Sequence, residues 1–143
     1  MTGKKIRIAL VILENQEQEF AMQLRSQIPS IAHPGRWGCF GGHIEENEIP
    51  AKAALREIEE ELSVILNPEK LTFHSTFKMG KEMEYSIFHY LVKNELDHAV
   101  LMEGEDFSYF NAIEIEQGEK KGKKTVDFHR DLLMNLIDSK SKN

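Results

Sequence analysis

The chain has 143 residues, and 41% of them are hydrophobic, which is enough for one core and too little for two comfortable ones. A net charge of −6 argues against a general nucleic-acid binder. The longest apolar run, from Ile6 to Leu13, is far shorter than the ~20 residues that cross a bilayer, and no cleavage site for a signal peptide follows it. Cys39 is the only cysteine, which fits a reducing compartment. We therefore expect a single cytoplasmic domain over residues 1–143, with no membrane or nucleic-acid partner.

Apolar patterning predicts strands and two helices in an order typical of a layered protein. Strands are expected over residues 5–13, 20–25, 37–40, 71–77, 84–92 and 99–102, and helices over 50–62 and 126–138. Residues 26–36 contain Pro29, Pro34 and Gly35, which predict a loop, and Gly41-Gly42 predicts a turn before the first helix. The expected fold class is α+β, with a mixed sheet between helices in an αβα sandwich.

The first predicted helix carries an acidic face beside an apolar one. Glu59, Glu60 and Glu61 crowd its C-terminal end, where the helix dipole disfavours each negative charge by about 0.3–1 kcal/mol. A divalent cation held by carboxylate oxygens would reverse that repulsion. The alternative is an ordinary solvated face, because a penalty of this size is tolerated in water.

The spacing around this helix is more specific than its charge. Gly42, Glu48, Arg56-Glu57-Ile58, Glu60-Glu61 and Val64 follow the pattern G-x5-E-x7-R-E-U-x-E-E-x-G-U, where U is aliphatic. This stretch resembles the Nudix box, and every defined position but one is met. The exception is Ser63, where the family has glycine. If that position needs a positive φ, the serine costs on the order of 1 kcal/mol.

The resemblance implies a catalytic metal site. Nudix proteins fold as a mixed sheet between helices, with the box forming a loop-helix-loop at one edge, and they cleave diphosphate bonds with Mg²⁺ or sometimes Mn²⁺. The implied metal ligands are Glu57, Glu60, Glu61 and the carbonyl of Gly41. One glutamate would also help to deprotonate the attacking water, and our preference is Glu57.

Other site residues follow from the resemblance or from their positions. Arg56 is implied to brace the loop and orient Glu57, with Glu48 as its salt-bridge partner; an ordinary exposed ion pair is the alternative. A fourth carboxylate often comes from a distant loop, for which Glu105 is the first choice and Glu103 the second.

The sequence indicates the substrate-binding residues less specifically than the metal ligands. Arg25 and His43 are candidates to contact phosphate, and Trp37 is a candidate surface for a stacked base, although large aromatic residues more often belong to the core. The six histidines form no zinc-hydrolase motif. The expected substrate is a nucleoside diphosphate linked to another moiety, such as a nucleoside triphosphate or a nucleotide sugar.

Two alternatives to this hydrolase remain open. The chain could be a Nudix-type module that binds a nucleotide without cleaving it, although a pure binding role gives no reason for so much uncompensated acid. It could also be an isomerase or a nucleotide-sugar glycosyl hydrolase that shares the fold. The family's frequent dimers make a homodimer a reasonable expectation.

Overall fold

The computed structural model describes residues 5–141, which form nine strands and three α-helices. The strands are β1 (Ile6–Glu14), β2 (Phe20–Leu24), β3 (Trp37–Gly38), β4 (Phe40–His43), β5 (Thr72–Met79), β6 (Met83–Leu91), β7 (Asp106–Phe110), β8 (Glu119–Lys120) and β9 (Lys123–Lys124). The helices are α1 (Pro50–Leu62), α2 (Ala112–Gln117) and α3 (Asp127–Ser141), with a short 3-10 helix at Pro68–Lys70.

Seven of the strands build one mixed sheet. Its main path runs β3-β2-β1-β6-β5, while β4 pairs with β1 and β7 pairs with β2. β1 and β6 are parallel over their full length, and the other pairs in this sheet are antiparallel. β8 and β9 form a separate small hairpin. β1 is therefore central, which agrees with its continuous apolar sequence.

Successive residues of β1 face opposite sides of the sheet and enter two different cores. Ala9, Val11 and Leu13 pack in the first core, which α1 covers. Leu10 and Ile12 pack in the second core, which α3 covers. Side chains alternate across a strand, so a central strand between two helical layers must be apolar on both faces. The predicted α+β fold, with a mixed sheet between helices, is confirmed.

The predicted turn at Gly41-Gly42 is wrong, because both glycines lie in β4. Gly41 pairs with Leu10 and Gly42 with Ala9 in an antiparallel ladder with β1. Gly41 has φ +145°, and a Cβ there would lie 2.0 Å from the carbonyl oxygen of Ala9. Glycine is needed here for close approach of two backbones rather than for a change of direction.

The predicted strand over residues 99–102 is also wrong. This segment is irregular, and its amide groups bond to the end of α1 instead of to a neighbouring strand. The Val100 amide donates to the Leu62 carbonyl over 2.9 Å, and the Met102 amide donates to the Glu61 carbonyl over 2.8 Å. The last carbonyls of a helix lack partners within the helix, so the segment supplies them.

Helix α2 was not predicted, although the sequence carries a signal for it. The Asn111 side chain accepts a hydrogen bond from the Glu114 amide, and the Glu114 carboxylate accepts one from the Asn111 amide. This reciprocal pair is a capping box, which starts a helix. Gly118 ends it in the left-handed conformation.

Ser63 ends α1 in the left-handed conformation that the box position was expected to require. It has φ 55° and ψ 38°, and its amide donates to the Glu59 carbonyl over 2.9 Å. A residue with a Cβ is strained in the left-handed backbone conformation, whereas glycine is not.

Replacing Ser63 with glycine should therefore stabilise the protein. We expect Ser63→Gly to raise the free energy of unfolding by about 1 kcal/mol, and the melting temperature by about 3 °C. Ser63→Ala is the matched control, because alanine keeps the strained Cβ. Thermal unfolding of all three proteins measures the effect, and equal stability of the glycine and alanine variants would contradict it.

Candidate active site

Helix α1 directs three carboxylates toward one cavity at the edge of the sheet. Glu57 and Glu61 are one turn apart, and Glu60 lies on the adjacent position of the same face. Their exposure differs, since the Glu60 side chain is 49% exposed, the Glu57 side chain 12%, and Glu61 only 2%. The last turn contains no basic residue that would balance this charge.

Glu61 is held at both of its carboxyl oxygens. The Gly41 amide donates to Oε1 over 2.9 Å, and Gln23 Nε2 donates to Oε2 over 2.9 Å. Burial raises the pKa of Glu61 to about 8, and the two hydrogen bonds oppose that rise only in part. Neither partner carries a positive charge. Within the described residues 5–141, Glu61 is therefore a buried acid whose hydrogen-bond partners are both neutral.

Arg56 links three carboxylates at and beside the cavity. Its Nε and Nη2 form a two-pronged pair with Glu48, at 2.9 Å and 3.0 Å. Its Nη1 donates to Glu57 over 3.0 Å and to Glu60 over 3.1 Å. The hydrogen bonds from Arg56 are the main reason that the pKa of Glu48 falls to about 2. Glu48 thus stays ionised and fixes Arg56, which in turn fixes the helical carboxylates.

Gly42 leaves the space that Glu57 occupies. A Cβ on Gly42 would lie 2.5–2.6 Å from the carboxyl group of Glu57. Burial raises the pKa of Glu57 above its ordinary value, with a further contribution from the charge of Glu60, while Arg56 acts in the opposite direction. Glu57 is thus partly desolvated and packed directly against the β4 backbone.

These groups line a cavity of about 520 Å³. Its walls come from β2, the loop after β2, β4, α1 and the segment before β7. The lining residues are Gln23, Arg25, Ser26, Ile28, Ile31, Gly41, Gly42, His43, Glu45, Arg56, Glu57, Glu60, Glu61, Glu103 and Gly104. Five of the lining residues are glutamates, and Arg25, His43 and Arg56 are the basic residues among them.

The family model for the NUDIX domain matches residues 4–135, which is most of the chain. The chain belongs to the NUDIX family. A search among curated protein sequences finds no match. Membership of this family, with the glutamates of the box in place, makes the chain a pyrophosphohydrolase. NUDIX hydrolases generally use divalent metal ions.

Solved structures with the same fold support this assignment of the architecture. The chain is similar to the MutT protein from Methanosarcina mazei Go1, with a TM-score of 0.76, 20% identity, and coverage of 100% of this chain and 99% of that one. The chain is also similar to the MutT NUDIX hydrolase from Burkholderia pseudomallei. The TM-score is 0.71 at 16% identity, and the match covers 92% of this chain and 97% of that one. A third similar structure is a bifunctional NMN adenylyltransferase/ADP ribose pyrophosphatase from Francisella tularensis, complexed with AMP and a manganese ion. The TM-score is 0.76 at 14% identity, and the match covers 96% of this chain and 42% of that one.

The structure brings most of the predicted NUDIX site residues together. Gly41, Arg56, Glu57, Glu60 and Glu61 all line the cavity. The expected salt bridge between Glu48 and Arg56 is present. Arg25 and His43 also line the cavity. The Nε of Arg25 donates to the Ala32 carbonyl over 2.7 Å, and the His43 carbonyl accepts a hydrogen bond from Arg56 over 2.9 Å.

Three predicted site residues do not line the cavity: Glu48, Trp37 and Glu105. Glu48 acts on the cavity through its contact with Arg56. Trp37 is fully buried in the second core, and its Nε1 donates to the Lys120 carbonyl, so its ring is not available to stack on a substrate. Glu105 is directed to the Gln27 amide, which donates to it over 3.3 Å. Glu103, the second choice, lines the cavity in its place.

Sequence reasoning missed Gln23, although a signal for it exists. β2 reads Phe-Ala-Met-Gln-Leu, and all five residues are buried. A single amide in an otherwise apolar buried strand requires a polar partner, because an unpaired buried amide is costly. That partner is Glu61, 38 residues away in the sequence, which the local pattern does not reveal.

The side chains present fit a hard divalent cation by their chemistry. Carboxylate oxygens are the ligands that Mg²⁺ and Mn²⁺ prefer, and the pKa values of Glu57 and Glu61 are raised mainly by burial, which a bound cation would offset. Within residues 5–141, however, no three acidic, histidine or cysteine side chains are close enough to hold a metal ion as they stand. Glu57 and Glu60 are bonded to Arg56, so ion binding requires them to turn from it.

Burial of Glu61 makes the stability of the metal-free protein depend on pH. Its pKa is about 8 in the folded state and 4.5 ordinarily, so between these values the folded state binds a proton that the unfolded state has lost. Its contribution to stability is thus complete below the ordinary pKa and is lost as pH rises through about 8.

We therefore compare the unfolding free energies of the parent and of Glu61→Gln in a chelating buffer. Between about pH 5 and pH 8, the value for the parent should fall relative to that of the variant by an amount on the order of 2–4 kcal/mol. Urea denaturation at several pH values measures this difference. A difference that is independent of pH would show that Glu61 ionises normally in the fold.

A search of the helices in the described part of the chain finds none long and apolar enough to cross a membrane.

Proposed function

We propose that this NUDIX protein is a Mg²⁺-dependent hydrolase, organised as one domain, that splits a phosphoanhydride bond in a nucleoside diphosphate linked to another moiety. Nucleoside triphosphates and nucleotide sugars are the leading substrates. The observation that carries the proposal is Glu61, a buried acid in the cavity wall with two neutral hydrogen-bond donors and, in the part of the chain that the structure describes, no cationic partner. Such a group makes physical sense when a cation binds beside it.

The proposed ligands are Glu57, Glu60, Glu61 and the carbonyl of Gly41. Glu103 is the proposed fourth carboxylate, because it lines the same cavity and its charge contributes to the raised pKa values of Glu57 and Glu61. A bound Mg²⁺ would neutralise the oxygens of the diphosphate and lower the pKa of the attacking water.

Glu57 is the proposed general base. Its pKa is raised by burial, and a base whose pKa lies closer to the working pH accepts a proton more effectively in the transition state. Arg56 would hold Glu57 and Glu60 in place until substrate binds, and Glu48 would keep Arg56 oriented through its two-pronged contact. This network fixes side chains that would otherwise repel one another.

Arg25 and His43 line the same cavity as the carboxylates and are proposed to bind the substrate's phosphate groups. The Nε of Arg25 is engaged by Ala32, which fixes the plane of the guanidinium group. Ile28 and Ile31 give this side of the cavity an aliphatic surface against which the group attached to the diphosphate would lie.

A panel of nucleoside diphosphate derivatives tests the proposed function. The purified protein is incubated with each compound in the presence of Mg²⁺, of Mn²⁺, or of a chelator, and the products are separated by ion-exchange chromatography. We expect metal-dependent release of two phosphorylated products from at least one compound. Tight nucleotide binding without cleavage under any condition would instead favour the non-catalytic module.

A further inference from the structure

Gln23 is a buried polar residue that contacts a proposed metal ligand without belonging to the acidic set. It lies in β2, is 3% exposed, and donates from Nε2 to Oε2 of Glu61 over 2.9 Å. The other oxygen of Glu61 accepts from the Gly41 amide in β4. Two strands therefore fix a side chain that belongs to a helix, and both oxygens of the carboxyl group have a defined direction.

Gln23 carries no charge, so it can orient Glu61 without competing with a bound cation. A lysine or arginine at this position would cancel the charge of Glu61 and compete with a bound cation. An amide donor orients the carboxyl group but leaves its charge available. Residues that hold metal ligands in this way commonly affect metal affinity without contacting the metal.

Gln23 also contacts the segment that carries Glu103. A Cβ on Gly104 would lie 2.9 Å from Oε1 of Gln23 and 2.8 Å from the Leu24 carbonyl, and Gly104 has φ +84°. The Glu105 amide donates to the same Leu24 carbonyl over 2.8 Å. The segment therefore lies directly on the β2 backbone and on the Gln23 amide, with Glu103 beside the cavity.

From these contacts we infer that Gln23 is a positioning residue for the metal site, which acts by orienting Glu61. The inference rests on the proposed metal-dependent function and deepens it. Gln23 touches neither substrate nor metal in this role. Its effect on the ion passes through Glu61.

Metal affinity of the full chain without substrate is the first test. Gln23→Met keeps the length of the side chain and removes the amide, and we expect it to weaken Mn²⁺ binding by about 10–100-fold in isothermal titration calorimetry. Its melting temperature in chelator should stay within a few degrees of the parent. Met22→Leu is the control, because Met22 is buried in the same strand but packs in the second core.

A double mutant separates positioning from general packing. In a Glu61→Gln background, Gln23→Met should change the remaining Mn²⁺ affinity by less than about twofold, because the residue through which it acts is already altered. If the two effects instead add, or if Met22→Leu weakens binding as much as Gln23→Met, the positioning role is overturned. Should Gln23→Met not fold, Gln23→Asn replaces it, since the shorter amide does not reach Glu61 and the same loss is expected.

The parent protein distinguishes failure of this inference from failure of the proposed function. If the parent binds no Mn²⁺ and cleaves nothing, the metal-dependent hydrolase is wrong and the role of Gln23 falls with it. If the parent binds and cleaves while Gln23→Met binds Mn²⁺ equally well, only the role of Gln23 is wrong.

Discussion

Replacing Glu61 with glutamine is expected to lower turnover by about 100-fold or more while leaving the protein folded. The substitution removes the negative charge but preserves the size of a side chain that is 2% exposed. The Gly41 amide still finds an oxygen to bond, and rotation of the Gln23 amide lets its oxygen accept from the new amide group. Stability in chelator should equal or exceed that of the parent, because burying an ionised carboxyl group is unfavourable.

Glu59→Gln is the matched control for this experiment. Glu59 lies in the same turn of α1 and loses the same charge, but its side chain is exposed and does not line the cavity. Steady-state kinetics with any substrate that the parent cleaves compares the two variants. Activity of Glu61→Gln within about threefold of the parent would count against Glu61 as a metal ligand.

The two adjacent glycines of β4 should respond to alanine in opposite ways. In Gly41→Ala the new Cβ meets the backbone of β1, at 2.0 Å from the Ala9 carbonyl oxygen, on a residue with φ +145°. Backbone atoms of a central strand do not move aside, so we expect a loss of about 3 kcal/mol or more in the free energy of unfolding. Urea denaturation measures this loss.

Gly42→Ala should instead preserve the fold and damage the site. Its Cβ meets only the flexible end of the Glu57 side chain, which can rotate away. We expect stability within about 1 kcal/mol of the parent and at least about a tenfold loss of kcat/KM, because Glu57 is displaced. Equal stability of the two alanine variants, or full activity of Gly42→Ala, would contradict this account of β4.

The local parts of the site could be predicted from sequence because helical periodicity decides them. Glu57, Glu60 and Glu61 share a face of α1 whatever surrounds the helix. The positive φ of Ser63 could be predicted for a different reason, because the family usually has glycine at this position. β1 was predicted as a buried strand because its apolar residues leave no polar face.

The parts that were missed depend on contacts between distant segments. Glu103 lines the cavity and Glu105 does not, in a segment held by bonds from the Met102 amide to the Glu61 carbonyl and from the Glu105 amide to the Leu24 carbonyl. Trp37 is a plausible surface for a base from the sequence, but it is fully buried in the second core, where its ring packs against Phe110. Neither outcome follows from residues near in sequence.

The most direct test of the central claim is anomalous diffraction from crystals soaked in Mn²⁺, recorded beside turnover assays of the same preparation. We expect a strong manganese peak bounded by the carboxylates of Glu57, Glu60 and Glu61, with Glu57 and Glu60 turned from Arg56 toward the ion. No peak at these carboxylates, together with the absence of metal-dependent cleavage of any diphosphate, would contradict the central claim.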